Sequence, residues 1–269
     1  MRGAVEPSRA GPEARDRNYV AAISSVARLT PGGKVRPVGG LTLVRSGLAI
    51  SAFNCVFALR PAPVPTDAER EIRRTFADDA VRRWVLITTS SSQEAMTPLI
   101  DALGLRLVET MPGMLWDPLP SEPAKMPVGF VVRPLGFPDE VREFGRTMMR
   151  GFEAPPELMD AWADAVGHLP TAPPELRGWY LGWVSGQPVC TAVRYSTGAL
   201  AGIYGVGTVP DFRQKGFGTA ITQRAAIDGR LEGCTASYLQ SSRIGRPVYE
   251  RIGYRVVEEY QLWAPGADP

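Results

Sequence analysis

The stretch VPDFRQKGFGTAITQRAA, residues 209–226, has the residue types and spacing of an anion-binding loop. An apolar run stops at Pro210, and helical spacing begins at Gly216. A helix start presents N–H groups without partners at the positive end of the helix dipole, and glycine lets the backbone approach a phosphate closely. Because Arg213 and Lys215 add positive charge, the stretch predicts a phosphate site. The plainer alternative is a helix start with a flexible entry.

Two common nucleotide-binding motifs do not describe this loop. It lacks the Gly-Lys-Ser/Thr ending of the Walker loop, and its glycine spacing is G-x-G alone. The preceding strand belongs to an antiparallel run, whereas the dinucleotide fingerprint follows a strand of a parallel βαβ unit. The predicted anion site is therefore of another kind.

The elements that position the loop are predicted from hydrophobic periodicity and turn residues. Residues 129–263 give a strand, a helix starting near Pro138 and Asp139, a second helix, three antiparallel strands, the loop with its helix, a further strand, a short helix closed by Gly253, and a last strand. A meander followed by strand, helix and strand is typical of an α+β layered sheet.

The spacing Arg213-x-x-Gly216-x-Gly218 after an apolar strand resembles the R/Q-x-x-G-x-G/A motif of GNAT-superfamily N-acetyltransferases. Downstream, LQSSRIGRPVYERIGYRVVE resembles that family's next strand, helix and last strand, in the same order. The resemblance covers about residues 129–263. It implies acetyl-CoA as the co-substrate, whose thioester enters a gap between the splayed strands IYGVGTV and SYLQSS.

The resemblance also implies which residues bind the co-substrate. The loop holding the pyrophosphate would comprise Arg213, Gln214, Lys215, Gly216, Phe217, Gly218 and Thr219. Main-chain groups pairing with the pantetheine arm would come from Val206, Thr208 and Val209.

Tyr249 matches the family's tyrosine that protonates the departing CoA thiolate. The role is chemically sound, because a thiolate with a pKa of about 8.5 leaves the thioester, and a phenol with a pKa of about 10 can hydrogen-bond to it and give it a proton. A packing tyrosine on a short amphipathic helix is the alternative interpretation.

The general base departs from the family pattern. Many members carry a Glu on the strand that here reads AGIYGVGTV, which has no acidic residue. The candidates are Tyr204 on that strand, Glu153 in the loop RGFEAPP, and a water chain to solvent. Glu258 and Glu259 on the last strand are expected to be surface charges, since alternation turns at least one of them outward.

The acceptor pocket is predicted near the loop 152–157, where aromatic residues are concentrated. A mostly apolar pocket with a few polar groups is the usual form of a small-molecule site, although aromatics at such spacings are more often core. The residues concerned are Phe152, Trp162, Trp179, Tyr180 and Trp183.

Charge excludes some partners. The net charge of +2 comes from 30 basic and 28 acidic residues spread along the chain, without a basic block. Nucleic acid and an anionic membrane surface are therefore not expected as partners. A small-molecule amine is the expected partner, and a homodimer is left open.

Cysteine and histidine usage argues against a metal. Cys55, Cys190 and Cys234 each lie in an apolar strand-like run and are expected to be small buried side chains, and His168 is the one histidine. No apolar segment is long enough for a signal peptide or a membrane span. We expect a soluble, cytoplasmic protein, with a disordered N-terminus over residues 1–17.

One element occurs twice. PLIDALGLRLVE at 98–109 aligns without a gap with PVYERIGYRVVE at 247–258, but Ile100 stands where the second copy has Tyr249. Upstream of the first copy, RPAPVPTDAER has prolines where a pyrophosphate loop has glycines, and proline has no N–H to offer. The first copy is predicted to bind no CoA and to pack beside the second. Chance similarity is the alternative.

These observations predict an α+β fold of two GNAT-like mixed-sheet domains in tandem, with only the C-terminal one intact. The predicted boundaries are 18–117 for the degenerate domain, 118–127 for a linker and 128–265 for the acetyltransferase domain. The predicted activity is acetyl transfer from acetyl-CoA to a primary amine by direct attack in a ternary complex. The alternatives are a non-catalytic acyl-CoA sensor and aminoacyl or acyl transfer on the same scaffold.

Overall fold

A computed structural model describes residues 10–78, 81, 83–136, 139–158, 160–166 and 178–266 of the chain. The helices are α1 (Pro12–Leu29), α2 (Ala68–Thr75), α3 (Gln93–Ala102), α4 (Val141–Gly151), α5 (Ala161–Val166), α6 (Phe217–Leu231) and α7 (Arg246–Ile252). The strands are β1 (Lys34–Val38), β2 (Leu41–Arg45), β3 (Cys55–Ala58), β4 (Val85–Thr89), β5 (Leu105–Trp116), β6 (Phe130–Pro134), β7 (Trp179–Val184), β8 (Gln187–Thr197), β9 (Leu200–Thr208), β10 (Ala236–Gln240) and β11 (Arg255–Pro265).

All eleven strands form one mixed sheet in the order β1-β2-β3-β4-β11-β5-β10-β9-β8-β7-β6. The two halves of the chain repeat one pattern, because β3 and β4 are parallel, as are β9 and β10. Each of these parallel pairs is linked through a helix, α2 in the first half and α6 in the second. The α+β class and the tandem arrangement predicted from the sequence are thereby confirmed.

The two halves exchange their last strands at the centre of the sheet. β11, from the second half, lies between β4 and β5, while β5, from the first half, lies between β11 and β10. The β5–β11 pairing is antiparallel and spans ten residue pairs. The sequence predicted a separate sheet for each half, because strand periodicity fixes which residues form strands and leaves open which distant strand each one pairs with.

Helix α1 lies in a concavity of the sheet. It contacts β1 and β2 near one edge of the sheet and β8 and β9 towards the other, so the sheet curves around it. Successive residues of β10 point to opposite faces, and Tyr238 packs with the core around α1 while Leu239 packs with the core under α6. We call the face that holds α1 the concave face and the face that holds α6 and α7 the convex face.

The start of α1 corrects one prediction. Residues 12–17 are helical, so the predicted disorder over 1–17 is wrong there, and residues 1–9 lie outside the described part of the chain. The segment looked solvated because it is polar. In the fold, however, Arg15 is 7% exposed and Asn18 is fully buried, with the amide of Asn18 donating to the Tyr195 carbonyl at 2.8 Å.

The three cysteines are free and buried, as predicted. Burial raises the pKa of the Cys55 thiol above its usual range and that of Cys190 to about 12, so neither is a thiolate near neutral pH. Within the described part of the chain, no helix combines the length and the apolar character needed to cross a bilayer.

The strand exchange predicts that the second half does not fold alone. A fragment of residues 128–269 would lack both neighbours of β11 and one neighbour of β10, because β4 and β5 belong to the first half. We expect it to show no cooperative urea unfolding monitored by circular dichroism. Coexpression with a fragment of residues 1–127 should give a soluble complex that unfolds cooperatively. A fragment 128–269 that unfolds as sharply as the intact chain would contradict the exchange.

Candidate active site

A β-bulge bends strand β9 at the site. The pairing of β8 with β9 shifts register between Thr191 and Val193, and Gly205 at the bulge has a φ of +57°. The Thr191 hydroxyl donates to the Gly205 carbonyl at 2.9 Å and fixes the bend. Glycine suits this position because other residues adopt positive φ at a cost.

β9 separates from β10 before it reaches the bulge. Their parallel pairing ends at Gly202 and Tyr238, although β9 runs on to Thr208 and β10 to Gln240. A gap therefore opens between the carboxyl ends of these two strands, with one edge of β9 unpaired along it. The structure thus has the splayed strands that the resemblance implied.

The register decides which groups of β9 face the gap. The Val209 amide donates to the Val189 carbonyl at 2.9 Å, which places the neighbouring pair, Thr208 and Cys190, in the non-hydrogen-bonded position. The main-chain groups of Thr208, and by two-residue alternation those of Val206, therefore point into the gap. Val209 was predicted to share this role, but its amide is already bonded within the sheet.

The loop before α6 presents a row of free amides. Gln214 and Gly216 have φ values of +62° and +80°, and Gly216 caps the helix without a side-chain hydrogen bond. Within the described residues, none of the six amides from Gln214 to Thr219 has a hydrogen-bond partner. The first turn of α6 carries no acidic residue. These amides and the helix dipole are suited to bind a phosphate group.

Arg213 has a structural role at this loop. Its guanidinium donates to the Thr208 carbonyl at 3.1 Å and to the Gly151 carbonyl at 3.0 Å, and it pairs with Glu153 at 2.5 Å. It thus joins the end of α4 to the end of β9. The predicted phosphate contact from this side chain would require these bonds to break. Lys215 lies over the Phe212 ring and donates to the Asp211 carbonyl at 3.1 Å.

Glu153, one of the predicted bases, is a partner of Arg213. Its side chain is 63% exposed and ion-paired, and its φ is +52°. The preceding helix end packs directly on β9, since a Cβ on Gly151 would lie 3.0 Å from the Gly207 backbone. Because the Glu153 carboxylate is exposed and ion-paired with Arg213, the geometry argues against Glu153 as the base.

Tyr204, the other predicted base, is enclosed on the concave face. Its hydroxyl donates to the Asn18 side-chain oxygen at 2.5 Å, and its ring stacks on Tyr19 with a centroid distance of 6.1 Å. Burial holds the pKa of Tyr204 well above its usual range. A base must first lose its own proton, so this prediction is wrong. Sequence periodicity does not indicate that Asn18 of α1 accepts a hydrogen bond from the Tyr204 hydroxyl.

Tyr249 lies on the convex face with its hydroxyl unengaged. The side chain is half-buried, and its ring packs edge-on against Tyr254 at 5.9 Å between centroids. No hydrogen bond from its hydroxyl occurs within the described residues. Burial, reinforced by the Cys190 thiol, raises the pKa of Tyr249 above its usual range. The hydroxyl is therefore a neutral donor, and Cys190 in turn lies 3.3 Å from the Thr208 hydroxyl at the gap.

The predicted aromatic pocket is mostly core. Trp162, Trp179 and Tyr180 are each at most 3% exposed, and Trp162 stacks on Trp179 at 4.8 Å. Arg133 covers the ring of Trp183. Phe152 alone of the five is mostly exposed. Aromatic spacing therefore marked the packing of α4 and α5 on the sheet, and the prediction that these residues form an acceptor pocket is wrong for the buried three.

The first half has no comparable gap. β3 pairs with β4 along its whole length, from Cys55 to Ala58, and the Thr89 hydroxyl donates to the Leu59 carbonyl at 3.0 Å just beyond. Ile100, the counterpart of Tyr249, is 5% exposed and packs in the core. Glu69 and Glu71 lie in the first turn of α2, where their charge repels an anion.

A polar cluster on the concave face was not predicted from the sequence. Above Gly113 of β5 the hydroxyls of Tyr238 and Tyr260 lie 2.9 Å apart, and a Cβ on Gly113 would be 2.1 Å from the Tyr238 hydroxyl. Arg15 lies over the Tyr238 ring, and Glu258 pairs opposite Gly113. The signal that could have found Glu258 is its even spacing from the apolar Tyr260 on one strand.

No group of three or more His, Cys, Asp and Glu side chains that could hold a metal ion occurs within the described residues. His168 lies outside them.

The chain is similar in sequence to one known protein family. The sequence model of the acetyltransferase (GNAT) family matches residues 142–254. No curated protein matches the sequence.

Solved structures resemble the whole chain. A GCN5-related N-acetyltransferase from Kribbella flavida is similar at TM-score 0.63 and 18% identity, covering 93% of this chain and 96% of its own. A tandem GNAT protein from the clavulanic acid biosynthesis pathway is similar at TM-score 0.54 and 11% sequence identity, and the match covers 96% of each chain. A GCN5-related N-acetyltransferase from Sphaerobacter thermophilus is similar at TM-score 0.56 and 22% sequence identity, and the match covers 75% of this chain and 67% of that chain. At these identities the likeness concerns the fold.

The contacts of Arg213 predict unequal effects of two substitutions. Arg213→Met removes charged donors from two carbonyls and should lower the free energy of unfolding by about 1–3 kcal/mol. Glu153→Gln breaks only an exposed ion pair and should cost no more than about 1 kcal/mol. Urea unfolding measures both, with Arg246→Met, which breaks the exposed helical pair with Glu250, as the control. Equal losses for Arg213→Met and the control would contradict the assigned role of Arg213.

Proposed function

Residues 142–254 belong to the acetyltransferase (GNAT) family, and from this premise we propose that the protein transfers an acetyl group from acetyl-CoA to a primary amine of a small molecule. The observation that supports the proposal is that three features lie next to one another at the carboxyl end of β9. The free amides before α6, the unpaired edge of β9 and the unengaged hydroxyl of Tyr249 follow one another around the gap.

The residues present suit acetyl-CoA as a co-substrate. Its pyrophosphate would accept hydrogen bonds from the amides of Gln214 to Thr219, with the positive end of the α6 dipole beneath it. Lys215 would add charge once its ammonium turns from the Asp211 carbonyl. The pantetheine amides would pair with main-chain groups of Val206 and Thr208 like an added strand. Because Arg213 already holds the Thr208 carbonyl, the Thr208 N–H is the group left for that pairing.

The reaction proceeds by direct attack within a ternary complex. The neutral amine adds to the thioester carbonyl, and the carbon–sulfur bond then breaks to release a thiolate. Tyr249 donates a hydrogen bond to that sulfur as charge develops on it, which stabilises the transition state. Since burial keeps the pKa of Tyr249 above that of a free phenol, the tyrosine acts mainly as a hydrogen-bond donor and gives up its proton late.

The amine loses its proton to water in this proposal. β9 carries no acidic residue, Tyr204 is protonated and hydrogen-bonded, and Glu153 is paired with Arg213. The gap opens at the carboxyl ends of β9 and β10, where water can enter. The rate should therefore rise with pH as the free amine forms.

The same geometry supports a single active site per chain. In the first half the strands stay paired, Ile100 replaces the tyrosine, and the first turn of α2 is acidic. We infer that the first half binds no CoA and supports the second half through the shared strands.

Isothermal titration with acetyl-CoA should give one site per chain. Lys215→Glu should weaken binding by about tenfold or more, because charged hydrogen bonds contribute about 1.5–3 kcal/mol. The matched control is Arg70→Glu on α2, whose side chain is 73% exposed at the corresponding helix of the first half and should leave binding unchanged. Two sites per chain, or equal weakening by both variants, would refute the single-site proposal.

Tyr249→Phe should lower kcat by about 100-fold or more, with little change in the KM for acetyl-CoA. A thiol-release assay over a panel of primary amines measures it, with Tyr195→Phe on β8 as the control. Burial raises the pKa of Tyr249, so its hydroxyl stays protonated up to a pH of about 10. Over that range we expect no fall in kcat from ionisation of this tyrosine. An unchanged kcat in Tyr249→Phe would remove the residue from the mechanism. Binding of acetyl-CoA without release of CoA by any amine would instead favour an acyl-CoA sensor.

A further inference from the structure

Arg15, in the first turn of α1, is a buried cation. The residue is 7% exposed, and its guanidinium makes no ion pair with a described residue. One Nη donates a long hydrogen bond of 3.4 Å to the Val257 carbonyl, while Nε has no partner among the described residues. The neighbouring carboxylate of Asp16 is already paired with Arg60 at 2.6 Å.

This arrangement is unfavourable unless a ligand completes it. The Val257 carbonyl and the Tyr238 ring compensate the buried guanidinium only in part, and a buried Nε–H without a hydrogen-bond partner is unfavourable. A cation in the first turn of a helix also opposes the helix dipole. The guanidinium makes the position favourable for an anion, which would bind to its free N–H groups.

The register of the central strands places Arg15 beside the gap. Its guanidinium lies 5.6 Å from the centroid of the Tyr238 ring, and Tyr238 is the last residue of β10 that pairs with β9. Two residues further on, Gln240 ends β10 on the same face. The side-chain nitrogen of Gln240 is buried and has no hydrogen-bond partner within the described part of the chain. Two unpartnered donors therefore flank the mouth of the gap on the concave face.

The carboxylate of Glu258 lies on the side of these donors that faces away from the gap. Glu258 pairs opposite Gly113, which in turn pairs opposite Gln240, so only the small glycine separates them in the sheet. At about 4.8 Å per strand, the main chains of Glu258 and Gln240 are about 10 Å apart. Glu258 is half-buried, forms no ion pair with a described residue, and accepts a hydrogen bond from the Glu259 amide at 3.0 Å. It was expected to be a surface charge.

We propose that Arg15 and Gln240 form the acceptor subsite, and that the acceptor is a small molecule carrying a carboxylate as well as the amine. Arg15 binds the carboxylate through its guanidinium fork. Gln240, at the end of β10 beside the gap, donates to an oxygen of the acceptor, whose amine then extends towards the gap. This inference rests on the proposed acetyl transfer, and it assigns the acceptor pocket jointly to α1 of the first half and to the strands of the second.

Initial rates of CoA release with the twenty L-amino acids and their twenty carboxamides test the subsite. We expect the intact protein to favour at least one acid over its amide in kcat/KM. Arg15→Met should lower kcat/KM for that acid by about 10- to 100-fold and leave the amide unchanged, because charged hydrogen bonds contribute about 1.5–3 kcal/mol. The matched control, Arg17→Met on the same helix with a 71% exposed side chain, should change neither rate.

The thermal stability of Arg15→Met provides a second test, because a purely structural role for Arg15 predicts the opposite change in Tm. Because the buried guanidinium of Arg15 lacks an ion pair, Arg15→Met should leave the Tm unchanged or raise it. A large fall in Tm, or an equal loss of rate on acids and amides, would make Arg15 a structural residue and overturn the proposal. If the methionine variant does not fold, Arg15→Lys keeps the charge without the fork and is compared on the same pairs.

Direct binding separates this inference from the proposed function. Calorimetry of the acetyl-CoA-loaded protein with the same amino acids measures the subsite without turnover. Arg15-dependent binding without CoA release by any amine would support the subsite and refute the acetyltransferase. CoA release at equal rates from acids and amides would support the acetyltransferase and refute the subsite.

Discussion

The pairing of β5 with β11 is the interaction on which the rest of the structure depends. These are the last strands of the two halves, and each also pairs with a strand of the opposite half. The exchange makes one sheet of two incomplete ones, and it lets the sheet curve far enough to enclose α1. Hydrogen bonds in the centre of such a sheet are shielded from water, and breaking the pair would leave β10 and β4 with exposed edges. The halves are therefore expected to fold as one unit.

Within this shared frame the two halves differ at a few positions, and those positions decide which half can open. In the second half β9 stops pairing with β10 at Gly202 and has a bulge at Gly205, and Gly216 starts α6 without a capping side chain. In the first half the threonine at the end of β4 closes the corresponding strands, and prolines occupy the turn before α2. A pair of strands that separates can admit a pantetheine arm, whereas a pair that remains hydrogen-bonded cannot.

The degenerate half nevertheless reaches the site. Its first helix crosses to the second half, where Asn18 binds the ends of β8 and the hydroxyl of Tyr204. Arg15 lies one turn earlier, above Tyr238, at the root of the gap. The first half, whose strands β3 and β4 stay paired, thereby contributes a helix beside the gap of the second half. Buried polar groups on a packed helix are held more firmly than groups on a loop, which suits the recognition of a small acceptor.

The sequence by itself determined the local features of this protein. The elements, the loop at 213–219, Tyr249 and the replacement of that tyrosine by Ile100 could all be predicted, because periodicity, glycine and proline act over a few neighbouring residues. Tertiary structure alone decided the exchange of β5 and β11, the enclosure of Tyr204, the core position of Trp162 and Trp179, and the burial of Arg15. Each depends on pairing or packing between residues more than 20 positions apart in the chain. Such contacts are chosen by the fit of whole surfaces, which no local pattern encodes.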